Sequence, residues 1–379
     1  MTRDKIIVLF LQITLLLSSS ISTRYNISFY FWIVLYIFLV FVMFPYCNFK
    51  KTSQAITILV ITFLWGIVKM FTTQDGIFVL GAIWLPTSVI VLYFSTKNRK
   101  KFIFEIKKFL ILLFVINAVI SIYETYTHNL LIYPERPGVI NTDVGFRSAG
   151  LFGHPLQNAM TMSILTGFIL VDSILSSLKK YTLFILGIIS ILSSNSRSSI
   201  ILWGPFILMY IWGMFFNENL TLKNKLIVLL SSLSILLLAC YMILYGGMGD
   251  RIFGDLFDPN TNTRIEIWSI FNKASFQEFC FGFSEFQLRT MMKSFTVDAI
   301  ENSFIMFVLY EGYIYTFIIL CLYIAIIKKL FKGYSIFSKI YTSLIFVAYS
   351  NVNNALSASF FPLLVFILAI ISFHPQYQK

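Results

Sequence analysis

The sequence is poor in charged residues, histidine and cysteine. Only 12% of its 379 residues are charged, whereas soluble domains usually carry about 25%. The three histidines and the four cysteines show no zinc-type spacing and no C-x-x-C pair. These shortages exclude a soluble globular enzyme and a disordered chain, and they argue against a disulfide framework or a metal site.

Apolar residues are abundant instead. They make up 58% of the chain, the mean hydropathy is +0.81, and they recur in runs of about 17–25 residues, the length that crosses a bilayer as a helix. Because the alternation of barrel strands is absent, we predict an all-α polytopic membrane protein with about twelve spans. The predicted spans are 6–22, 27–46, 54–71, 77–95, 109–127, 156–177, 181–195, 198–216, 226–245, 302–326, 338–354 and 357–373.

Positive charge is concentrated on one side of this topology. With a cytoplasmic N-terminus, the inner loops and termini carry a net charge of +15 and the outer side carries −3, which together give the +12 of the chain. Cytoplasmic loops of membrane proteins show this excess of basic residues. Both termini are therefore predicted to be cytoplasmic, and the basic charge does not indicate a nucleic-acid partner.

The two sides also differ in the kind of basic residue. Lysine supplies 17 of the 19 inner cations, whereas arginine supplies seven of the ten outer ones. The planar guanidinium matches phosphate and carboxylate groups, so we predict an anionic ligand at the outer face. The chain is read as one integral-membrane domain, 1–379, with outer loops at 128–155 and 246–301. The longer loop contains a predicted amphipathic helix near 264–280.

The segment 146–159, FRSAGLFGHPLQNA, combines Arg147 with the start of a predicted span. Pro155 suits the first turn of a helix, and the free N–H groups of a helix start bind anions. We predict an anion site here, with Asn158 nearby; a loop with a structural arginine is the alternative. His154 is either a candidate base or a structural residue beside Pro155.

Two further arginines lie in polar outer segments. Arg197, within SSNSRSSI at the junction of two apolar runs, either faces a cavity or snorkels from a tight turn. Arg264 and Trp268 are four residues apart and share one helical face. That face could hold a phosphate and a sugar ring, or it could be an interfacial anchor.

The segment 301–313, ENSFIMFVLYEGY, places carboxylates at and inside an apolar run. Glu301 and Asn302 begin the run, and Glu311 lies about 15 Å further along a helix. A buried carboxylate is expensive and usually functional. Glu301 is a candidate general base; alternatively it stabilises the start of the helix through the helix dipole.

Together and in this order, the motifs resemble the O-antigen ligase and polymerase superfamily, that is, Wzy-type polysaccharide polymerases. The pieces that carry the resemblance are R-x-x-G-x-x-x-x-P at 147–155, N-S-R-S at 195–198, R-x-x-x-W at 264–268, F-G-F at 281–283, and E-N-S-F with E-G at 301–312. They all lie from residue 147 onward, and each piece alone is a weak signal.

The resemblance implies a metal-independent, inverting glycosyltransferase at the outer face of a bacterial cytoplasmic membrane. It would polymerise polyprenyl-pyrophosphate-linked oligosaccharide repeat units into an O-antigen or a capsule, without a cofactor. Arg147 and Arg264 would neutralise the pyrophosphate, and Glu301 would be the base. A chain-length regulator is a candidate partner beside the lipid bilayer. Further substrate contacts are predicted for Arg197, Arg289, Trp268, His154, Asn158, Asn302 and Glu311.

Two other functions stay open. The first is a ligase that transfers finished glycan to another acceptor, although the ligase branch carries His-Asn where this chain has Glu301-Asn302. The second is a flippase for lipid-linked oligosaccharides, which would need a charged path across the membrane. Here the polar residues crowd the outer side.

Overall fold

The computed structural model describes residues 3–16, 29–46, 49–72, 83–132, 141–142, 145–215, 268–294, 300, 302–352 and 361–375, and a few single positions between 226 and 241. This part of the chain is almost entirely helical, as predicted. Its fourteen helices are α1 Arg3–Leu16, α2 Phe29–Met43, α3 Phe49–Thr72, α4 Leu85–Ser95, α5 Arg99–Thr127, α6 Pro155–Val171, α7 Ser177–Ser193, α8 Arg197–Phe215, α9 Ser269–Lys273, α10 Phe276–Phe281, α11 Glu285–Ser294, α12 Ser303–Leu330, α13 Ile336–Val352 and α14 Phe361–Ser372. An antiparallel pair, β1 Asn141–Thr142 and β2 Gly145–Phe146, lies in the first long loop.

Two of the described helices are long and apolar enough to cross a membrane. They are Phe49–Phe71 within α3 and Ser303–Leu330, and only 33% and 39% of their most apolar windows are buried inside the molecule. Most residues of these windows are therefore not buried by neighbouring parts of the molecule. Shorter apolar helices occur within α4, α6, α8 and α14. The twelve-span arrangement stays a prediction.

The apolar runs and the helices coincide well. Eleven of the twelve predicted spans overlap a described helix, and the ninth, 226–245, lies mostly outside the described residues. Helix α5 begins ten residues before the predicted span, because the Asn98 side chain accepts the Lys101 N–H at 3.1 Å and caps the helix. Lysine is a good helix former, so the helix extends through a turn that hydropathy alone reads as a loop.

Three helices form the centre of the bundle. Ten of the eleven residues of α4, fifteen of the seventeen of α6 and all twelve of α14 are buried. Helix α14 packs against α4, α5, α6 and α12, and Phe366 stacks on Phe346 with ring centroids 4.1 Å apart. A helix that is apolar on all faces is stable only when neighbours surround it, which explains this central position.

Several lysine-rich helix ends lie together at one end of the bundle. We name this region the lysine end. It contains the starts of α1, α3, α5 and α7 and the ends of α4, α6, α12 and α14. These ends are predicted to be cytoplasmic. Contacts that join them include the Asn98 N–H with Asp4, Lys329 with Gln54, Lys107 with Asp172, and His374 with the Lys332 carbonyl.

The opposite end, which we name the loop end, holds the segment that carries Arg147. The Ser148 N–H donates to the Ser193 carbonyl at 2.9 Å, which ties this segment to the end of α7. The Tyr349 hydroxyl donates to the Ser199 carbonyl at 3.0 Å, which ties the end of α13 to the start of α8. The contacts thus group the helix ends into two sets, as an alternating topology requires.

Helix α12 is broken at Gly312, and the long second loop docks at the break. Gly312 has φ 79° and ψ 162°, and Gly282 has nearly the same conformation, φ 85° and ψ 166°. The Leu309 carbonyl accepts the Phe283 N–H at 2.8 Å. Backbone groups at the break are therefore bonded to the segment that follows α10, which fixes that segment to the bundle.

The two glycines at this junction should not tolerate a side chain. Their dihedral region is essentially restricted to glycine, and a Cβ would overlap the Tyr310 carbonyl at Gly282 or the Cys280 carbonyl at Gly312. We expect Gly282→Ala and Gly312→Ala each to destabilise the protein by about 1–3 kcal/mol, read as a lower melting temperature in detergent.

Gly204→Ala is the matched control, because nothing lies near a Cβ at that position. Its expected effect is small, since the gain in helix propensity offsets the strain before Pro205. Equal melting temperatures for all three variants would contradict the described junction.

Candidate functional site

Glu124 organises the segment that carries Arg147. Its buried carboxylate accepts four hydrogen bonds: from the Ser148 hydroxyl at 2.7 Å, and from the N–H groups of Ala149 at 3.1 Å, Gly150 at 2.9 Å and Leu131 at 3.1 Å. A buried carboxylate without such donors would be very costly. Glu124 therefore fixes the backbone on both sides of the loop, at the end of α5 and directly after Arg147.

Two asparagines join the same network. Asn117 on α5 donates to the Asn158 side chain at 2.8 Å and accepts the Leu151 N–H at 2.8 Å. Asn158 on α6 donates to the Ser121 hydroxyl at 3.1 Å. Both asparagines are buried. Asn158 thus holds α5 and α6 together in this structure, and its predicted contact with substrate stays a prediction.

Arg147 lies between the end of one helix and the start of another. Its side chain is 8% exposed, and its Nε donates to the Ser194 carbonyl, 3.4 Å away, at the end of α7. A cation is stabilised at a helix C-terminus, where the helix dipole is negative. The following residues, through Gly153, lead directly into α6. The segment therefore holds the guanidinium at the loop end of the bundle.

Helix α6 starts where the sequence predicts, but one backbone donor of the predicted anion site is already hydrogen-bonded. Pro155 is its first residue, as predicted, and His154 is its N-cap. The Nδ1 atom of His154 accepts the Leu156 N–H at 3.2 Å, which requires that Nδ1 carry no proton. His154 therefore has a structural role, one of its two predicted alternatives, because it caps α6. One N–H group of the predicted anion site is already occupied by this histidine.

Arg197 begins α8 directly after a tight turn. The turn passes through Asn195, whose φ of 44° is left-handed and whose side chain is buried. This turn was one of the two sequence interpretations of the segment. The direction of the Arg197 side chain lies outside the described part of the structure.

A second buried cluster surrounds Glu311 at the break in α12. Glu311 is buried, as predicted, and accepts the Trp65 Nε1–H at 2.9 Å. Trp65 stacks on Tyr315, with centroids 5.2 Å apart, and on Phe281, at 6.3 Å. Lys69, also buried, donates to the Tyr310 carbonyl at 2.6 Å and to the Phe281 carbonyl at 3.4 Å. This cluster binds α3, α12 and the second loop to one another.

Asn302 is the N-cap of α12. Its side-chain oxygen accepts the N–H groups of Phe304 and Ile305, both at 3.0 Å, and its amide nitrogen lies 3.5 Å from the Asn351 oxygen. Asn302 therefore caps this helix, at whose start Glu301 has its alternative predicted role, stabilisation through the helix dipole. Glu301 itself lies outside the described residues.

The remaining predicted site residues lie on the second loop. Trp268 is the N-cap of α9 and is 58% exposed, and Arg289 lies on an exposed face of α11. Arg264 lies outside the described residues. In place of one amphipathic helix near 264–280, the described part of the loop forms the short helices α9 and α10, and α11 follows them.

Sequence reasoning identified Arg147, His154 and Asn158, which the structure brings together, and Glu311, which belongs to the second cluster. It missed Glu124, Asn117, Trp65 and Lys69. A signal existed for Lys69, because it is the lysine inside the predicted span 54–71 and charges within spans are rarely idle. Trp65 lies four residues earlier, on the same helical face.

Comparisons with known proteins add no family assignment. No protein-family model matches the chain, and no curated protein matches it. The resemblance to polysaccharide polymerases therefore stays a prediction from the motifs.

We expect Glu124→Gln to loosen the segment that carries Arg147. The amide would place N–H groups against N–H donors, and each buried group that loses its partner costs about 1–3 kcal/mol. Faster tryptic cleavage after Arg147 and a lower melting temperature are the expected results. Glu105→Gln is the control, because Glu105 lies on the same helix at the lysine end. Equal cleavage rates in both variants would show that Glu124 does not hold the segment.

Proposed function

We propose that this protein is a multi-span membrane glycosyltransferase that polymerises polyprenyl-pyrophosphate-linked oligosaccharides at the outer face of a bacterial cytoplasmic membrane. The observation that carries the proposal is the placement of Arg147. A fully buried hydrogen-bond network holds the segment that follows it, where α7 ends and α6 begins. Such pre-organisation suits a cation that stabilises developing charge on a leaving group.

The apolar lateral surface of the helix bundle supports the membrane placement. Large apolar side chains are exposed on many described helices, among them Phe41 and Phe71, at 80% and 86%. A stacked row of Phe279, Tyr313 and Phe317 runs from the second loop along the outward face of α12. Soluble proteins rarely expose apolar surface on this scale. Lipid would cover these side chains, and the lysine end would face the cytoplasm.

The proposed reaction is a single displacement. A hydroxyl group of the acceptor sugar attacks the anomeric carbon of the donor and gives its proton to Glu301. The bond from that carbon to the pyrophosphate oxygen breaks, and the lipid pyrophosphate leaves with the electron pair. Arg147 and Arg264 neutralise this charge. The pyrophosphate is already an activated leaving group, so the proposal requires no nucleotide.

In this proposal the Glu311 cluster positions the second loop. Lys69 holds carbonyl groups of both α12 and the loop, and the loop carries Arg289 and Trp268. The same helix α12 is capped by Asn302, the residue that follows the proposed base in the sequence. The contacts at the Gly312 break thus fix the position of the loop relative to the start of α12.

The proposal is tested by a polymerisation assay in nanodiscs. Wild-type protein receives lipid-pyrophosphate-linked repeat units with EDTA and without nucleotide, and the product is resolved as a ladder. We expect Arg147→Ala to lower the rate about a hundredfold or more, as loss of a charge-stabilising donor does. Arg147→Lys should keep part of the rate, because it keeps the charge.

Arg99→Ala is the control, because Arg99 lies at the lysine end, where it donates to the Phe94 carbonyl. Its ladder should equal that of the wild type. A full ladder from a correctly melting Arg147→Ala variant would contradict the assigned role. No ladder from the wild type, with lipid-linked substrate moving between leaflets, would indicate a transporter.

A further inference from the structure

A long apolar cleft of about 500 Å³ lies between α12 and α13, with α14 as its floor. It extends from Phe304 near the start of α12 to Lys328 near its end. Leu363 and Phe366 form part of the floor. Leu320 and Ile324 on α12 and Val347 on α13 line the cleft and are exposed on the outside of the bundle. The cleft therefore opens sideways, on the surface that lipid would cover.

The walls of the cleft are hydrocarbon in character. Tyr315 and Tyr323 line it, but their hydroxyl groups are bonded to other helices. The Tyr315 hydroxyl donates to Thr62 on α3 at 2.9 Å, and the Tyr323 hydroxyl donates to the Ile83 carbonyl at 3.2 Å. Apart from Thr316 and Ser343, the cleft surface thus offers mainly rings and aliphatic groups, which fit a hydrocarbon chain better than a sugar or a peptide.

The charge of the cleft lies at one end. Lys328 on α12 and Lys339 on α13 both line it at the lysine end, and none of the described residues that line it is acidic. Two lysines from two helices at one end of an apolar cleft match an anionic head group attached to a hydrocarbon chain.

We propose that this cleft binds an anionic phospholipid of the inner leaflet. Its phosphate contacts Lys328 and Lys339, and one acyl chain lies between α12 and α13 on the floor formed by α14. This lipid would be oriented opposite to the proposed polyprenyl-pyrophosphate donor, whose pyrophosphate contacts Arg147 at the loop end. The phosphate-binding end of the cleft is thus at the opposite end of α12 from the glycosyl-transfer site, and the proposal rests on the proposed membrane placement alone.

Occupancy of the cleft should stabilise the protein. A ligand that binds only the folded state raises its stability by mass action, and this ligand would fill the space between α12 and α13. The lipid would therefore support the helix that carries Asn302 at its start and the break at Gly312.

The test compares two lipids with identical acyl chains, phosphatidylglycerol and phosphatidylcholine, added to the purified full chain in a neutral detergent. Bound lipid is counted by native mass spectrometry, and the melting temperature is recorded in parallel. We expect the wild type to bind one phosphatidylglycerol in preference to phosphatidylcholine. The double variant Lys328→Gln, Lys339→Gln should lower that preference about tenfold or more, because each lysine near an anionic head group contributes to binding.

Lys329→Gln is the matched control for charge, because Lys329 lies on the same turn but donates to Gln54 instead of lining the cleft. It should keep the preference. Ser343→Trp, which fills the cleft, should reduce binding of both lipids, whereas Leu344→Trp on the neighbouring exposed face should not. Unchanged melting of the lipid-free variants shows that they are folded.

Equal binding of both lipids, or binding that survives both the lysine and the Ser343 substitutions, would overturn the proposal. Displacement of phosphatidylglycerol by polyprenyl phosphate, with no effect of the lysine substitutions, would assign the cleft to the carrier lipid. These readouts need no glycosyl transfer, so failure of the lipid site and failure of the proposed enzyme activity remain distinguishable.

Discussion

The buried carboxylate of Glu124 is the interaction on which the loop end depends. A segment that enters the bundle brings backbone N–H groups into a region where water cannot satisfy them, and each such group must find an acceptor. Glu124 supplies that acceptor for four donors, three of them directly after Arg147. One side chain on α5 thus determines the path of the segment and the place where its arginine lies.

A second constraint acts at the break in α12. The break at Gly312 exposes carbonyl groups within a long apolar helix, and the second loop and Lys69 satisfy them. The two regions are linked through α13, since Tyr349 bonds to the start of α8 and Asn351 lies beside Asn302. The loop end is therefore a connected polar layer above a mostly apolar core, whereas the lysine end is held by a separate set of contacts.

Much of the fold could be predicted from the sequence, because long apolar runs can satisfy their backbone in lipid only as helices. The start of α6 at Pro155 and the burial of Glu311 were predicted correctly for local reasons. The Glu124 network could not be found this way, because its donors lie seven to 26 residues away and no local pattern marks the pairing. The contacts of Lys69 could not be predicted either, because charge counting assigns a residue to one side of a membrane and cannot show that its side chain turns inward to carbonyl groups. The early start of α5 was missed because its first turns are lysine-rich.

An outward-facing site requires that the two ends of the bundle face opposite sides of a membrane. The decisive measurement uses single cysteines at the two ends of α5 in a variant without the four native cysteines. Tyr126 is 86% exposed at the loop end, and Lys100 is exposed at the lysine end. In intact bacterial cells, a membrane-impermeant maleimide should label Tyr126→Cys, and it should label Lys100→Cys only after permeabilisation. Labelling of Lys100→Cys in intact cells, or of Tyr126→Cys only in permeabilised ones, would contradict an outward-facing site.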